Sequence, residues 1–403
     1  MLSSLVSRLS FHWMQHFTPQ GLIVFIALAI ATLSSFSSFI VPVHHCFFGL
    51  LFLLLASLAG RLLPRKLALQ TTFPVTGQAG KPIDIMVSLA SVGNELYHVG
   101  ADFFRLPRGI TQPRHNVVLP LVPSDGKVHL RCRILPVKRG IYSNLTLAAY
   151  STFPFGLLRR FLAFSVWHRL IVIPAYCPLK TISLPAASRY QPGGLRFASG
   201  IGESLEYIGN REYTPGDSGR HIDFRSFARL AKPIVREYRE EYFCRVALFL
   251  DTCASAKSRE SRNRFESAVS LCAAITDYLA SRDYVIDFFA SGSELHFFRS
   301  GRSTGSDMGL METLAALSPE KSPSFSTIIP ALCDAMRGVS FMIFVLQGWN
   351  TEHQALVRAL SETRCPLKII IIDKSQPAGI SSCPWPVQVL NPQSIMDGGV
   401  DSL

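Results

Sequence analysis

The feature that most constrains this chain is an uncharged run near its start. Gly21 to Ile40, GLIVFIALAIATLSSFSSFI, contains no Asp, Glu, Lys or Arg. At 1.5 Å per residue, a helix of about 20 residues crosses the roughly 30 Å of hydrocarbon in a bilayer. A second apolar block, Cys46 to Gly60, follows after the short break VPVHH, and Leu62 and Leu63 extend it if Arg61 snorkels to the interface. The break holds Pro42 and neither Lys nor Arg, whereas Arg8 precedes the first block and Arg61, Arg65 and Lys66 follow the second. By the positive-inside rule both flanks are cytoplasmic. The sequence therefore predicts a two-pass hairpin in a bacterial-type inner membrane, with both termini and the soluble bulk in the cytoplasm. Ala56-Ser57-Leu58-Ala59 also mimics a leader cleavage site, but two apolar blocks ending in a basic cluster fit a cleaved leader poorly. His44 and His45 are read as interfacial polar residues rather than as metal ligands.

Charge supports a membrane surface as a partner. The net charge is +12, yet residues 1–66 carry four basic residues and no acid, and residues 67–180 carry 13 basic residues against four acids. The remainder is close to neutral. A cationic excess next to a membrane anchor is favoured by anionic lipid at about 1 kcal/mol per nearby cation; a solvated basic surface with no partner is the competing reading. Nucleic acid is not an expected partner, because no basic-plus-aromatic binding motif is present. The nine cysteines include no C-x-x-C pair, which fits free thiols in a reducing compartment.

With 403 residues the chain has room for more than one core. Four segments are expected: a membrane hairpin with its flanks (1–66), a β-sandwich (67–180), a linker and motif segment (181–244), and an α/β domain (245–403). In the second, the runs IDIMVSLA, HNVVLPLV, KVHLRCRIL, IYSNLTLAAYS and FSVWHRLIVIP alternate or cluster β-formers between turn signals such as Pro123-Ser124-Asp125-Gly126. About seven strands in two packed sheets is the simplest architecture. Asp102, Arg105 and Arg131 are read as a solvated face.

A Gly- and Ser-rich stretch, Gln191 to Gly202, is expected to be a flexible linker, and after it the sequence becomes dense in charge. Arg211, Glu212, Asp217, Arg220, Asp223, Arg225 and Arg229 interleave acids with bases. Thr214-Pro215-Gly216-Asp217 is a tight turn, since Pro presets φ at the second position and Gly accepts positive φ at the third. Such a segment is either an ion-pair network tying a loop down or a docking surface. The residues alone favour the first.

This segment resembles the bacterial domain-of-unknown-function family fifty-eight. The resemblance rests on Arg211-Glu212-Tyr213, Pro215-Gly216-Asp217, Arg220, Ile222-Asp223 and Ala228-Arg229, with Phe224 where the family has Trp and Arg225 where it has Lys. Pro154-Phe155-Gly156-Leu157 is similar to a second family signature. The resemblance implies an N-terminal membrane hairpin and an association with MoxR-type AAA+ ATPases. It makes Arg211, Glu212, Tyr213, Pro215, Gly216, Asp217, Arg220, Asp223 and Arg229 the family-motif and partner-binding candidates.

The last segment reads as a doubly wound α/β domain. RVALFL, Arg245 to Leu250, is a buried-type strand, and Phe265, Ala268, Val269, Cys272, Ile275 and Leu279 recur at helical spacing after it. Further alternation comes with SFMIFVL, EHQALVRAL and LKIIIID. With Asp251 at the end of its first strand it resembles a von Willebrand factor type A domain. That resemblance implies a Mg²⁺ site of hard oxygen ligands drawn from three loops. Here the first loop reads Asp251-Thr252-Cys253-Ala254-Ser255, with a thiol in place of the first hydroxyl, and the third reads Gln347-Gly348, with an amide in place of the acid. Asp251 and Ser255 are thus the remnants of a degenerate metal site, and no cofactor is expected.

The function these readings give is a non-enzymatic one: a membrane-anchored adaptor that works with a MoxR-type ATPase, and with a client protein in envelope or complex assembly. Two alternatives stand beside it, a hydrolase using the Asp251 region or a free cysteine, and a purely structural envelope protein. No Ser/His/Asp or Cys/His constellation is legible in the chain.

Overall fold

The computed structural model describes residues 16–37, 41–60, 66–91, 93–113, 118–183, 207–215, 217, 219–238, 245–254, 258–282, 284–292, 296–299, 306–320, 325–336, 339–363, 365–377, 379–380 and 383–403. The chain divides into two compact units. The first comprises residues 1–175 with 311–317, the second residues 176–310 with 318–403.

Among its described residues the first unit has two apolar helices that pack on each other, α1 (Pro19–Ser37) and α2 (Val41–Gly60). By length and composition α2 is the one helix among the described residues able to cross a membrane, and Pro19–Ser34 is a shorter apolar helix. Both present apolar side chains outward: Ile23, Ile26, Ile30 and Leu33 on α1, and Phe48, Phe52 and Leu55 on α2, are exposed. VPVHH is not the break that the sequence suggested, because it forms the first turn of α2. Pro42 is tolerated there since its missing N–H would have no intrahelical partner anyway, and the His45 ring lies 3.0 Å from the Val41 carbonyl. The foot of α1 is tied to the domain behind it. Thr18 donates its hydroxyl to the Gly156 carbonyl at 2.6 Å, and its N–H to the Leu157 carbonyl at 3.0 Å.

Two sheets follow. One has the order β1 (Leu67–Thr72), β3 (Ile83–Ser91), β7 (Lys127–Pro136), β5 (Ile110–Thr111). The other has β2 (Thr76–Gln78), β9 (Arg160–Ile173), β8 (Gly140–Ser151), β4 (Leu96–Arg105), β6 (Val118–Val122). Strict alternation places Ile83, Ile85, Val87 and Leu89 inward on β3. They share one core with Leu130 and Ile134 of β7, Leu145 and Leu147 of β8, and Trp167 of β9. Strand β4 was not legible as a strand. His98 adopts a φ of 51°, which breaks the pleat so that apolar alternation does not persist along LYHVGADFFR.

The second unit holds a separate two-stranded antiparallel hairpin and a six-stranded sheet. The hairpin pairs β10 (Tyr207–Glu212) with β11 (Ile234–Tyr238), and a seven-residue helix, α3 (Phe224–Leu230), lies between its strands in sequence. The large sheet has the order β14 (His296–Arg299), β13 (Val285–Ala290), β12 (Arg245–Leu250), β15 (Phe341–Leu346), β16 (Leu367–Ile372), β17 (Val387–Leu390), parallel except for β14. Strands β15 and β16 are buried at every position, as expected where helices cover both faces. Each such Leu, Ile, Val or Phe contributes about 1.5–3 kcal/mol by leaving water. Among the described residues the helices that follow β12 in the chain are α4 (Arg259–Ala280), α5 (Ser306–Ala316, of which residues 311–316 belong to the first unit), α6 (Phe325–Met336), α7 (Thr351–Ser361) and α8 (Pro392–Met396). Helix α4 buries the predicted stripe Phe265, Ala268, Val269, Cys272, Ile275 and Leu279. The predicted linker, residues 191–202, lies outside the described residues, as do Gly216 and Ser255.

Candidate functional site

The motif segment folds into a small frame held by two carboxylates. Arg211, on β10, grips Asp217 with both guanidinium ends, Nη1 to Oδ2 and Nη2 to Oδ1, each at 2.7 Å. Asp217 Oδ2 also accepts from the Thr214 N–H at 2.8 Å and the Thr214 hydroxyl at 2.9 Å. The Asp217 N–H returns to the Thr214 carbonyl at 3.1 Å, which closes the turn expected from Thr-Pro-Gly-Asp. Arg211's hydrogen bonds, helped by those of Thr214, hold the Asp217 carboxyl well below the usual range.

Asp223 is the second centre. It caps the N-terminus of α3, its Oδ1 accepting from the Arg225 N–H at 3.3 Å. Its Oδ2 takes the Ser226 hydroxyl at 2.7 Å and the Asn210 amide at 3.2 Å, and Arg236 stands 3.3 Å from Oδ1. The Ser226 bond first, then Arg236 and Asn210, hold its pKa at about 2. Its own N–H reaches the Ile234 carbonyl at 2.8 Å, joining the start of α3 to β11. At the other end Ala231 closes the helix in the left-handed region, with φ 55°. So one carboxylate fixes the loop to β10, and the other fixes the helix to both strands.

The remaining candidates sit on the surface of this frame. Glu212 meets Lys232 at 3.1 Å, both widely exposed. Tyr213 is anchored through its N–H to the Pro233 carbonyl while its side chain is exposed, and Pro215 lies exposed in the turn. Arg220 lies in the one-turn 3₁₀ helix Gly219–His221 and Arg229 in the last turn of α3. Sequence reasoning did not single out Asn210, Ser226 and Arg236, which complete the Asp223 cluster. Their only signal was Asp-x-x-Ser ahead of an Ala/Leu-containing run, a cap pattern.

The strand-end site is of another kind. Asp251 is fully buried at the end of β12. Its Oδ1 accepts from the Cys253 N–H at 2.9 Å and lies 3.4 Å from the Ser291 hydroxyl. Its Oδ2 accepts from the Gln347 N–H at 3.1 Å and faces His353 Nε2 at 3.1 Å. Gln347 also spans the strand ends by giving its side-chain amide to the Asp251 carbonyl at 2.7 Å. The Cys253 thiol is pushed up, by burial first and then by the Asp251 and Glu352 charges, which disfavours its thiolate. Among the described residues no group of three or more His, Cys, Asp or Glu is placed to hold a metal. His353 was missed from sequence because it lies 102 residues from Asp251. Its one local signal was the cap Asn350-x-x-His353, whose two reciprocal bonds both form.

Comparison with solved structures gives a match to proximal thread matrix protein 1 from the mussel byssus, at 7% identity and a TM-score of 0.31. It covers 39% of this chain, and the chain spans 46% of that one, less than half its length. No curated protein matches. The family scan matches residues 209–375, from the motif hairpin through β16, to the model described as "Protein of unknown function DUF58", and this match supports the DUF58 family for the chain.

Proposed function

We propose that this chain is a membrane-anchored adaptor that presents the 207–238 segment to a MoxR-type AAA+ ATPase, in the assembly or maturation of envelope or other protein complexes. The observation that carries the reading is the division of labour in that segment. Asp217 and Asp223 are spent on holding shape, while Tyr213, Phe224, Phe227 and Leu230 are left exposed. Rigid frames with exposed aromatic anchors are what a docking surface needs, since little ordering entropy remains to be lost on binding.

In this reading α1 and α2 form a two-pass hairpin with both ends cytoplasmic, and the basic excess of residues 67–180 lies against anionic lipid. The parallel sheet, with Asp251 at the carboxyl end of a central strand, supports a von Willebrand factor type A-like lineage whose ion site has been replaced by protein hydrogen bonds. The test is reconstitution. The full chain in detergent and the purified MoxR-type ATPase of the same genome are expected to co-elute from a sizing column. Separate elution, with and without nucleotide, would overturn the adaptor reading.

A further inference from the structure

Both apolar helices stand on one loop. A Cβ added to Gly60, the last residue of α2, would come within 2.6 Å of the Pro154 ring, and one added to Gly21 of α1 would overlap the Leu157 carbonyl. Thr18, just before α1, is bonded to the Gly156 and Leu157 carbonyls. With α1 and α2 spanning a bilayer, residues 153–157 lie where hydrocarbon gives way to lipid headgroups.

A cavity of about 610 Å³ opens beside this loop, between the first turn of α1 and strands β4, β6 and β8. Its size suits a small-molecule group. The wall carries Arg159, His98 and Gln20 and no Asp or Glu. Asp102, the ion-pair partner of Arg159, stands 3.5 Å from its Nη1 and is not part of the wall. The guanidinium lies 5.0 Å over the Tyr150 ring, and its Nε is buried and meets no acceptor among the described residues. A planar fork with one distant carboxylate has donors to spare, and the oxygens of a phosphate fit them. His98, at φ 51°, leaves the pleat of β4 and lines the same cavity, a strain of the kind that functional sites retain.

The helix wall continues beyond the cavity. Residues three and four apart share a face, so Pro19 and Gln20 lead to Ile23, and from there to Ile26 and Ile30. These three isoleucines are 67%, 51% and 60% exposed. From Ile23 to Ile30 the strip is about 10 Å long at 1.5 Å per residue. The strip alone fits any lipid chain; the cationic, carboxylate-free recess at its foot selects an anionic head. A soluble phosphoester would fill the recess and leave the strip uncovered.

We infer that this cavity holds the phosphate headgroup of one anionic phospholipid, with Arg159 as its counter-ion, His98 and Gln20 as hydrogen-bonding neighbours, and an acyl chain along Ile23, Ile26 and Ile30. This rests on the membrane-anchored reading and deepens it, turning the general attraction of a basic region to acidic lipid into one stoichiometric site. The wall has no carboxylate to receive an ammonium head. Phosphatidylglycerol is therefore held better than phosphatidylethanolamine.

The experiment counts lipid on the full chain, purified in mild detergent, by native mass spectrometry as dioleoyl phosphatidylglycerol is titrated. The wild type is expected to hold one lipid per chain, and millimolar inorganic phosphate or glycerol phosphate not to displace it. Arg159→Gln, and Gln20→Glu, which adds a carboxylate to the cavity wall, should each weaken that lipid by about tenfold or more. The pair Arg131→Gln/Arg133→Gln, exposed on β7 and outside the cavity lining, should leave the affinity unchanged. Should Arg159→Gln fail to fold, Gln20→Glu decides, since Gln20 is exposed. Unchanged affinity in Gln20→Glu, equal retention of phosphatidylethanolamine, or displacement by the soluble phosphates would overturn the inference and leave the anchor intact. An equal loss in the Arg131/Arg133 pair would assign the lipid to general surface charge and overturn it as well. If alkaline carbonate without detergent strips the full chain from membranes, the membrane-anchored reading fails and the lipid site with it.

Discussion

His353 Nε2 lies 3.1 Å from Asp251 Oδ2, with side chains only 6% and 1% exposed. The His353 Nδ1 accepts from the Asn350 N–H at 3.3 Å, so the ring proton sits on Nε2 and points at the carboxylate. The loop after β12 and the start of α7 are fastened together through this contact. Replacing His353 by Leu removes one donor from a buried carboxylate and is expected to cost about 2–3 kcal/mol. His353→Gln, which keeps a donor, should cost less. Denaturant unfolding of the α/β unit, followed by hydrogen exchange of β12 and β15, checks this, and a change below about 0.5 kcal/mol would show the contact to be idle.

The same geometry bears on divalent ions. With Asp251 Oδ1 and Oδ2 both accepting from protein groups, Mg²⁺ would have to displace His353 or the Gln347 N–H before it could bind. Mg²⁺ parts with its waters reluctantly and prefers several hard oxygens. Millimolar Mg²⁺ is expected to leave the melting temperature unchanged, and EDTA to leave ATPase binding unchanged. A Mg²⁺-dependent rise that Asp251→Ala removes would restore metal-dependent carboxylate recognition.

Acid should undo the motif frame. Asp223 is held at about 2 by Ser226, Arg236 and Asn210, and Asp217 is held low by Arg211. Both folded-state values lie below the unfolded carboxyl value of roughly 4. Their stabilisation is therefore complete above the unfolded value and is lost as pH falls through the folded one. Carbon-13 carboxyl titration should show both groups ionised at pH 3, and amide resonances of residues 207–238 should broaden only below that. Carboxyl midpoints near 4 would mean that the two clusters do not hold in solution.

Asp287 makes a sharper case for a buried charge. It is 1% exposed on β13 and is met by Arg245 at 2.5 Å and Arg299 at 3.0 Å. Arg245→Leu leaves the carboxylate with Arg299 alone and is expected to cost about 3 kcal/mol, near the lower end for a broken buried pair. Asp287→Leu together with Arg245→Leu should recover part of that loss, a result that a double-mutant cycle measures directly.

Topology is checked by thiol labelling. Cys365 is buried and unsuited to it, whereas Cys177 is exposed. An impermeant maleimide should leave Cys177 untouched in intact spheroplasts and modify it after lysis. Labelling without lysis would put the second unit outside the cytoplasm and end the two-pass reading.

The sequence by itself determined the elements whose signal is local and periodic. Uninterrupted apolar composition marked α1 and α2, alternation marked β3 and β7, and helical spacing marked α4, because in each the side chains that meet the solvent boundary are set by a fixed repeat. Turn chemistry likewise gave Thr214–Asp217. Tertiary structure decided what depended on pairing between distant residues. Nothing near Asp251 announced that His353 and Gln347 would close over its carboxylate, and nothing near Asp223 announced Asn210 and Arg236, since hydrogen-bond partners are chosen by proximity in space. The same holds for exposure. Nothing local marks Phe224, Phe227 and Leu230 as exposed, and only the fold, by turning Ser226 to Asp223, left them facing water.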